Sequence, residues 1–191
     1  MFTFYYFWKA KPCSRAMKIL VTHAGTSGLS ASVAERVARV LTGLGAEVTV
    51  RPMSGVSTIK GFSAVIAGCQ EQGGGWVPEA MEFVRRNQSA LGKKPFAIFT
   101  VIPSLGTDKG AESRMVIMQY TAHVRGMVHT VSEGFFSGET ENRGAPQPGE
   151  RSKFKLRLLL GLLREVETRS NSEIETWSAQ VHEKLVKLLA K

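Results

Sequence analysis

A loop of small and hydroxyl-bearing residues, THAGTSGLS at 22–30, constrains the fold of this chain more than any other stretch. The apolar run KILV at 18–21 precedes it and predicts a short buried strand, and an amphipathic helical pattern begins after it at Ser32. The first backbone N–H groups of a helix have no acceptor within that helix, and the helix dipole favours negative charge there. A strand, a small-residue turn and a helix start therefore predict an anion site, with a phosphorylated ligand as its expected occupant.

The residues within the loop support the same prediction. Gly25 and Gly28 allow the backbone to approach a ligand closely. The candidate binding residues, which offer hydroxyl groups and backbone N–H groups, are Thr26, Ser27, Gly28, Leu29 and Ser30. An alternative stays open, in which the loop only caps the first helix through Ser30 or Ser32 and binds no ligand.

Other phosphate motifs match the loop poorly. A Walker loop requires Lys and then Ser or Thr after its second glycine, and this loop has neither. A phosphorylated receiver domain requires carboxylates where this chain has Thr22-His23 and Ala67-Gly68. The dinucleotide fingerprint needs a different glycine spacing and an acidic residue after the second strand, where Arg51 stands instead. Because Arg suits a 2′-phosphate, the dinucleotide interpretation is weakened but stays open.

The rest of the chain alternates between strand and helix patterns. The later strands are expected at 47–50, 64–67, 96–101 and 128–136, and the helices at 32–44, 79–87, 112–123, 151–166 and 172–189. Five strands with helical connections predict an α/β fold, a three-layer sandwich with a five-stranded parallel sheet of order 2-1-3-4-5. Such a sheet binds ligands at the carboxyl ends of its strands, between strands one and three.

That topology brings the loop after strand three beside the phosphate loop. This second loop, GCQEQGGGWVP at 68–78, is rich in glycine, which favours close approach of the backbone to a flat ligand. Trp76 is expected to stack on a ring system and Gln70 to hydrogen-bond its edge. The candidate ring-side residues, which include one from the loop after strand four, are Gly68, Gln70, Gly74, Trp76 and Ser104. The alternative is a surface turn in which Trp76 packs as a half-buried aromatic residue.

Composition limits the class of protein. The 191 residues are 43% hydrophobic, which is enough for one domain, and two cysteines give no disulfide framework, so a cytoplasmic location is expected. A net charge of +9 and a pI near 9.8 indicate an anionic partner or surface. Specific nucleic-acid binding is not expected, because the chain lacks a helix-turn-helix pattern and an aromatic stacking platform. Residues 1–16 are expected to be an extension outside the domain at 17–191, because Met17 directly precedes the first strand.

The loop pattern hydroxyl-Ser-Gly-x-Ser resembles the phosphate loop of flavodoxins, which implies FMN as cofactor. Short segments extend the resemblance to the menaquinone-dependent protoporphyrinogen dehydrogenases, a flavodoxin-domain group. They are KILV at 18–21, GLS at 28–30, VIAGC at 65–69, EFV at 82–84 and EIETW at 173–177. The resemblance implies a flavodoxin-like fold and an FMN-dependent oxidoreductase that passes electrons to a quinone or a redox partner protein. It requires no catalytic acid–base pair, because the flavin carries the redox chemistry.

The loop after strand three departs from that group. It contains EQGGGW at 71–76, whereas the group tends to have an Arg-Tyr-Gly-His-like run there, so the cations that would meet porphyrin carboxylates are missing. Porphyrin specificity therefore does not follow from the resemblance. Ala24 and Gly25 also replace hydroxyl residues of the phosphate loop, which weakens the expected hold on FMN. The alternative hypothesis is a flavodoxin-like interaction or regulatory module without bound flavin.

A basic, leucine-rich segment, RSKFKLRLLLGLLR, extends from Arg151 to Arg164. The resembled group also carries a basic, apolar segment between its last strand and its last helix. Apolar area and cations together favour an anionic membrane surface. Peripheral contact with the inner face of the membrane is therefore expected, and a core or homodimer-interface helix is the alternative.

Overall fold

The computed structural model describes residues 17–103, 114–137 and 172–190. Its strands are β1 Lys18–Ala24, β2 Glu47–Pro52, β3 Ala64–Gln72, β4 Gly75–Trp76, β5 Phe96–Ile102 and β6 Ser132–Ser137. Its helices are α1 Leu29–Gly43, α2 Pro78–Leu91, α3 Arg114–Gln119, α4 Ala122–Met127 and a last helix, α5, at 172–189. Three predictions lie outside the described residues, namely the extension at 1–16, Ser104 and the helix at 151–166.

Five of the strands form a parallel sheet in the order β2-β1-β3-β5-β6. This order confirms the predicted sheet, since β5 and β6 are the predicted fourth and fifth strands. The short β4 pairs antiparallel with the end of β3, an addition that the sequence analysis did not predict. In the central register Val21 of β1 lies opposite Ile66 of β3, which lies opposite Ala97 of β5. Residues Ala64 to Cys69 of β3 are buried, as a strand covered on both faces requires.

Helices cover both faces of this sheet and give three layers. On one face, α1 contributes Val37 and Leu41 to a core that also contains Trp177 and Val181 of α5. On the other face, Phe83 of α2 lies in a second core together with residues of α4. Burial of these apolar stripes is the main stabilising contribution to such a sandwich. Within the described ranges, no helix is long and apolar enough to cross a membrane.

Helix α1 begins earlier than its sequence pattern predicts. Its first residue is Leu29, and the N-cap is Gly28 in the left-handed region, with no side-chain capping bond. The expected cap at Ser30 or Ser32 is therefore wrong. The predicted end of the helix is correct, because Gly45 has φ +91° and donates its N–H to Thr42 O at 3.0 Å.

The segment predicted as one helix at 112–123 forms two short helices, α3 and α4. The chain turns between them at Thr121, whose hydroxyl donates to Glu133 Oε2 at 2.8 Å. Arg125 of α4 forms a salt bridge with the same carboxylate at 2.9 Å. This partly buried cluster holds α4 against the start of β6, so side-chain hydrogen bonds outweigh the local helical pattern here.

The last strand is also shorter than predicted. Val128 belongs to the end of α4, where its N–H donates to Val124 O at 3.0 Å, and it is not the first residue of a strand. The strand β6 begins at Ser132 and ends at Ser137. The sequence pattern of α5 predicts an apolar stripe, which is buried at Ile174, Trp177, Val181 and Leu185 but exposed at Leu188.

Candidate functional site

A cavity of about 290 Å³ opens at the carboxyl edge of the sheet, beside the ends of β1 and β3. The strand order reverses between these two strands, which is where open α/β sheets bind their ligands. Small-molecule sites commonly have volumes of roughly 300–1,000 Å³, so this cavity lies at the small end of that range. Its lining comes from the loop after β1, the end of β3 and the start of α2, as Gly25, Thr26, Ser27, Gln70, Glu71, Gln72, Val77, Pro78 and Glu79.

The loop between β1 and α1 lines this cavity directly before the helix start. Gly28 adopts φ +76°, a conformation that favours glycine, and the first helical bond runs from Ser32 N–H to Gly28 O at 3.0 Å. The N–H groups of Ser30 and Ala31 precede that bond in the first helical turn, and the N–H of Leu29 donates to Ser27 Oγ at 3.4 Å. The exposed residues Thr26 and Ser27 line the cavity just before them. Hydroxyls next to a helix start are suited to an anion, and the phosphate site stays a prediction.

Ser30 has a structural role within the loop. Its hydroxyl donates to Ala24 O at 2.7 Å, and the residue is only 1% exposed. A Cβ at Gly25 would lie 3.3 Å from the Ser30 oxygen, and Gly25 itself has φ +125°. The hydroxyl hydrogen of Ser30 is thus committed to the backbone.

Gln70 lies at the phosphate loop. It is half-buried near the end of β3, and its Oε1 accepts a hydrogen bond from the Ser27 hydroxyl. The Gln70 Cβ lies 3.7 Å from the position that a Cβ at Gly25 would occupy. The structure thus brings Gln70 together with Ser27 and Gly25, so its side chain meets the phosphate loop and not a separate ring-side region.

The glycines after β3 form a tight hairpin. Gly73 and Gly74 have φ angles of +64° and +85°, and they connect the paired residues Gln72 and Gly75. Two successive positive φ angles are the requirement of a type I′ turn, which explains the glycines without any ligand. The N–H of Gly74 donates to Glu71 Oε1 at 2.7 Å and fixes the turn further.

The last two ring-side candidates, Trp76 and Gly68, are core residues. Trp76 is 6% exposed, and its Nε1–H donates to Thr100 Oγ1 at 2.8 Å, so its indole packs under the hairpin and does not line the cavity. Gly68 lies under the ring of Phe99, whose nearest atom would be 2.1 Å from an added Cβ. Both residues are explained by packing in this structure.

A family model for the flavodoxin domain matches residues 20–142, which is more than half of the chain. The chain belongs to the flavodoxin-domain family. No curated protein sequence matches the chain. The solved structures that it resembles are flavodoxins of low sequence identity, so they add evidence of the fold alone.

Three of these structures illustrate the likeness. An archaeal flavodoxin has 16% identity and a TM-score of 0.55, and the match covers 88% of this chain and 99% of that one. Flavodoxin 2 from Bacillus cereus has 18% identity and a TM-score of 0.54, with 87% and 99% covered. A Fusobacterium nucleatum flavodoxin bound to flavin mononucleotide has 14% identity and a TM-score of 0.54, with 88% and 98% covered.

The cavity of this flavodoxin domain is electrostatically unusual for an anion site. Two carboxylates, Glu71 and Glu79, line it, and none of its described lining residues is a cation. Burial lowers the pKa of His23, at the end of β1, while the carboxylates of Glu35 and Glu79 raise it to a lesser degree. His23 is therefore neutral near pH 7 and adds no positive charge. Among the described lining residues, only N–H groups and hydroxyls can attract an anion.

The free thiol in this region is not reactive. Cys69 is buried in β3, and burial raises its pKa to about 12. A thiol that stays protonated at neutral pH is a poor nucleophile.

The acidic part of the lining is not predicted from the sequence. Glu71 and Glu79 are absent from the predicted site residues, because the third strand is expected to end at Ala67 and the next helix is given no role in the site. The signal that could have found Glu79 is its place after Pro78, in the first turn of a helix that starts at the binding edge.

Proposed function

We propose that this flavodoxin-domain protein binds FMN and passes electrons between a reductant and a quinone or a redox partner protein. The observation that carries the proposal is the cavity at the switch point of the sheet, which Thr26 and Ser27 line directly before the start of α1. Membership of the flavodoxin-domain family supports the same cofactor. Support also comes from the structural likeness to the Fusobacterium flavodoxin, which was solved with flavin mononucleotide bound.

Each residue of the phosphate loop has a role in this proposal. The hydroxyls of Thr26 and Ser27 and the N–H groups of Leu29 and Ser30 would hold the FMN phosphate without a cation. The left-handed conformation of Gly28 directs the chain into the helix start. When bound, the flavin supplies the transfer of one or two electrons, so the chain needs no acid–base pair.

The charge of the cavity bears on the electron donor. A porphyrinogen with its carboxylates would meet Glu71 and Glu79 at this edge, and like charges disfavour each other. We therefore favour a reductant other than a porphyrinogen, with an uncharged quinone or a partner protein as the electron acceptor. The net charge of +9 and the segment from Arg151 to Arg164 support a contact with an anionic membrane, where quinones reside.

A flavin-free interaction module is the second candidate. Two observations favour it, since the Ser30 hydroxyl is committed to Ala24 O and Trp76 is buried away from the cavity. Both reduce the number of side chains available to FMN.

The visible absorption spectrum of the purified protein, before and after addition of FMN and gel filtration, distinguishes the two candidates. We expect a two-banded flavin spectrum that remains with the protein peak. A colourless protein that does not retain added FMN would support the interaction module and overturn the flavoprotein. With FMN retained, a neutral quinone should reoxidise the dithionite-reduced flavin readily, whereas a porphyrinogen should reduce the oxidised flavin only slowly.

A further inference from the structure

The hydrogen bond between Ser27 and Gln70 connects two segments far apart in the sequence. Ser27 belongs to the phosphate loop, and Gln70 lies near the end of β3, yet both line one cavity. The Gln70 Cβ lies near Gly25, because an added Cβ at Gly25 would be 3.7 Å from it. The amide is directed at the Ser27 hydroxyl by the hydrogen bond between them.

We infer that Gln70 is a positioning residue for the phosphate, acting through the Ser27 hydroxyl, and that it is not a contact of the flavin ring. The inference rests on the proposed function, because it concerns how FMN is held. It assigns the side chain of Gln70 to the phosphate end of the site.

The hydrogen bond between Ser27 and Gln70 can form both without ligand and with a phosphate bound, because of the chemistry of the two side chains. A hydroxyl has one hydrogen, which without ligand is donated to the Gln70 carbonyl oxygen. A phosphate oxygen is a stronger acceptor, because it is charged. When the Ser27 hydrogen turns to the phosphate, rotation of the Gln70 amide presents its NH₂ group to the Ser27 oxygen. Gln70 then donates to Ser27, and Ser27 donates to the phosphate.

This chain of hydrogen bonds has two consequences in a site whose described lining contains no cation. Each bond polarises the next, so the hydroxyl becomes a better donor to the phosphate. The hydroxyl is also held in place before the ligand arrives, which lowers the entropy lost on binding. A leucine at position 70 keeps the approximate size of the side chain and removes both effects.

The experiment compares FMN with riboflavin, which has the same ring system and no phosphate. Dissociation constants for both flavins are measured by quenching of flavin fluorescence in the wild type, Ser27→Ala, Gln70→Leu and the double variant. We expect Ser27→Ala to weaken FMN binding roughly tenfold or more, and Gln70→Leu about three- to tenfold. Riboflavin affinity should change by less than about twofold in both.

The double variant tests whether the two residues act together. Since Gln70 acts through Ser27, the double variant should bind FMN within about twofold of Ser27→Ala alone. Gln72→Leu is the matched control, because Gln72 lines the same cavity on the same strand. It should change the affinities for the two flavins by the same factor.

Three other results of these titrations would contradict the role of Gln70 or the phosphate site itself. If Gln70→Leu weakens riboflavin as much as FMN, Gln70 is a ring contact and the inference is wrong. If the effects of the two single variants multiply in the double variant, Gln70 does not act through Ser27. A wild-type protein that binds neither flavin, or binds both equally, overturns the proposed phosphate site and this inference together.

Discussion

The loop after β1 and the hairpin after β3 both contain glycines with positive φ angles, and both lie at the carboxyl edge of the sheet. In the first, Gly28 leads into α1, where the N–H groups of Ser30 and Ala31 come before the first helical hydrogen bond and the N–H of Leu29 donates to Ser27 Oγ at 3.4 Å. In the second, Gly73 and Gly74 close a two-residue turn, and the N–H of Gly74 donates to Glu71 Oε1. A glycine-rich sequence alone therefore does not indicate a ligand, and the acceptors of the neighbouring N–H groups have to be known as well.

The largest expected effect comes from the residue under the hairpin. Trp76→Ala removes a buried indole and its bond to Thr100, so the free energy of unfolding should fall by about 3–5 kcal/mol in urea titration. Trp76→Phe keeps most of the packing and should lose roughly 1–2 kcal/mol.

Flavin binding provides the contrasting measurement for these variants. Folded Trp76→Phe protein should bind FMN with wild-type affinity, because the indole does not line the cavity. If Trp76→Ala left stability within about 1 kcal/mol of the wild type but abolished FMN binding, the residue would be a ring contact after all and the comparison would fail.

Neighbouring glycines of the hairpin give a matched pair of substitutions. Gly74→Ala forces a residue with a Cβ to adopt φ +85°, which should lower the free energy of unfolding by about 1–2 kcal/mol. Gly75→Ala lies in β4, where an added Cβ would have no neighbour within 4 Å, and should change it by less than about 0.5 kcal/mol. Thermal melting of both proteins checks this. Equal losses would show that the turn does not require its glycine.

Much of the fold could be predicted from the sequence, because apolar runs such as 64–67 and 96–101 are long enough to identify buried parallel strands. The spacing of valines and leucines in α1 likewise fixes which helix face packs on the sheet. The sheet order could be predicted because 2-1-3-4-5 is the common order of a doubly wound sheet with five strands. The phosphate loop could be located for the same reason, since it lies between a strand and a helix that both have clear patterns.

The hairpin could not be predicted in the same way. The last residues of β3, Gln70 to Gln72, are polar, so neither hydrophobic alternation nor an apolar run marks them as a strand. Three glycines in a row are compatible with a flexible loop and with a type I′ turn. The partner of the Gln70 amide, 43 positions away, depends on tertiary packing that no local pattern contains.

A smaller effect is expected inside the phosphate loop. Ser30→Ala removes the bond to Ala24 O and leaves that carbonyl without its hydroxyl donor, so the free energy of unfolding should fall by about 1 kcal/mol. Ser32→Ala is the control, because Ser32 is an exposed residue of the same helical turn and should have little effect. Chemical denaturation of the two variants measures the difference. A greater loss with Ser32→Ala would identify it as the helix cap that the sequence suggests.

The smallest expected effect is a pH dependence of the free energy of unfolding that arises from the titration of His23. Burial lowers its pKa below the usual 6.5, so the unfolded chain binds the proton more readily than the folded chain. The free energy of unfolding should therefore fall as the pH decreases below about 6.5. Burial also lowers the pKa of His182 on α5, so His23→Gln should remove only part of this slope. Urea titrations at about pH 7.5 and about pH 5.5 measure it.

The pH dependence of the free energy of unfolding can also show whether the phosphate binds at the loop after β1 or at the hairpin after β3. His23 immediately precedes the phosphate loop, so a bound phosphate would add negative charge near it and raise its pKa towards the usual value. Saturating FMN should then reduce the pH dependence of stability in the wild type, and His23→Gln should show no such reduction. Riboflavin lacks the charge and should leave the slope as it is. If FMN and riboflavin gave the same pH dependence of the free energy of unfolding, the phosphate would lie away from the loop after β1. That loop would then have no more claim to a binding role than the hairpin.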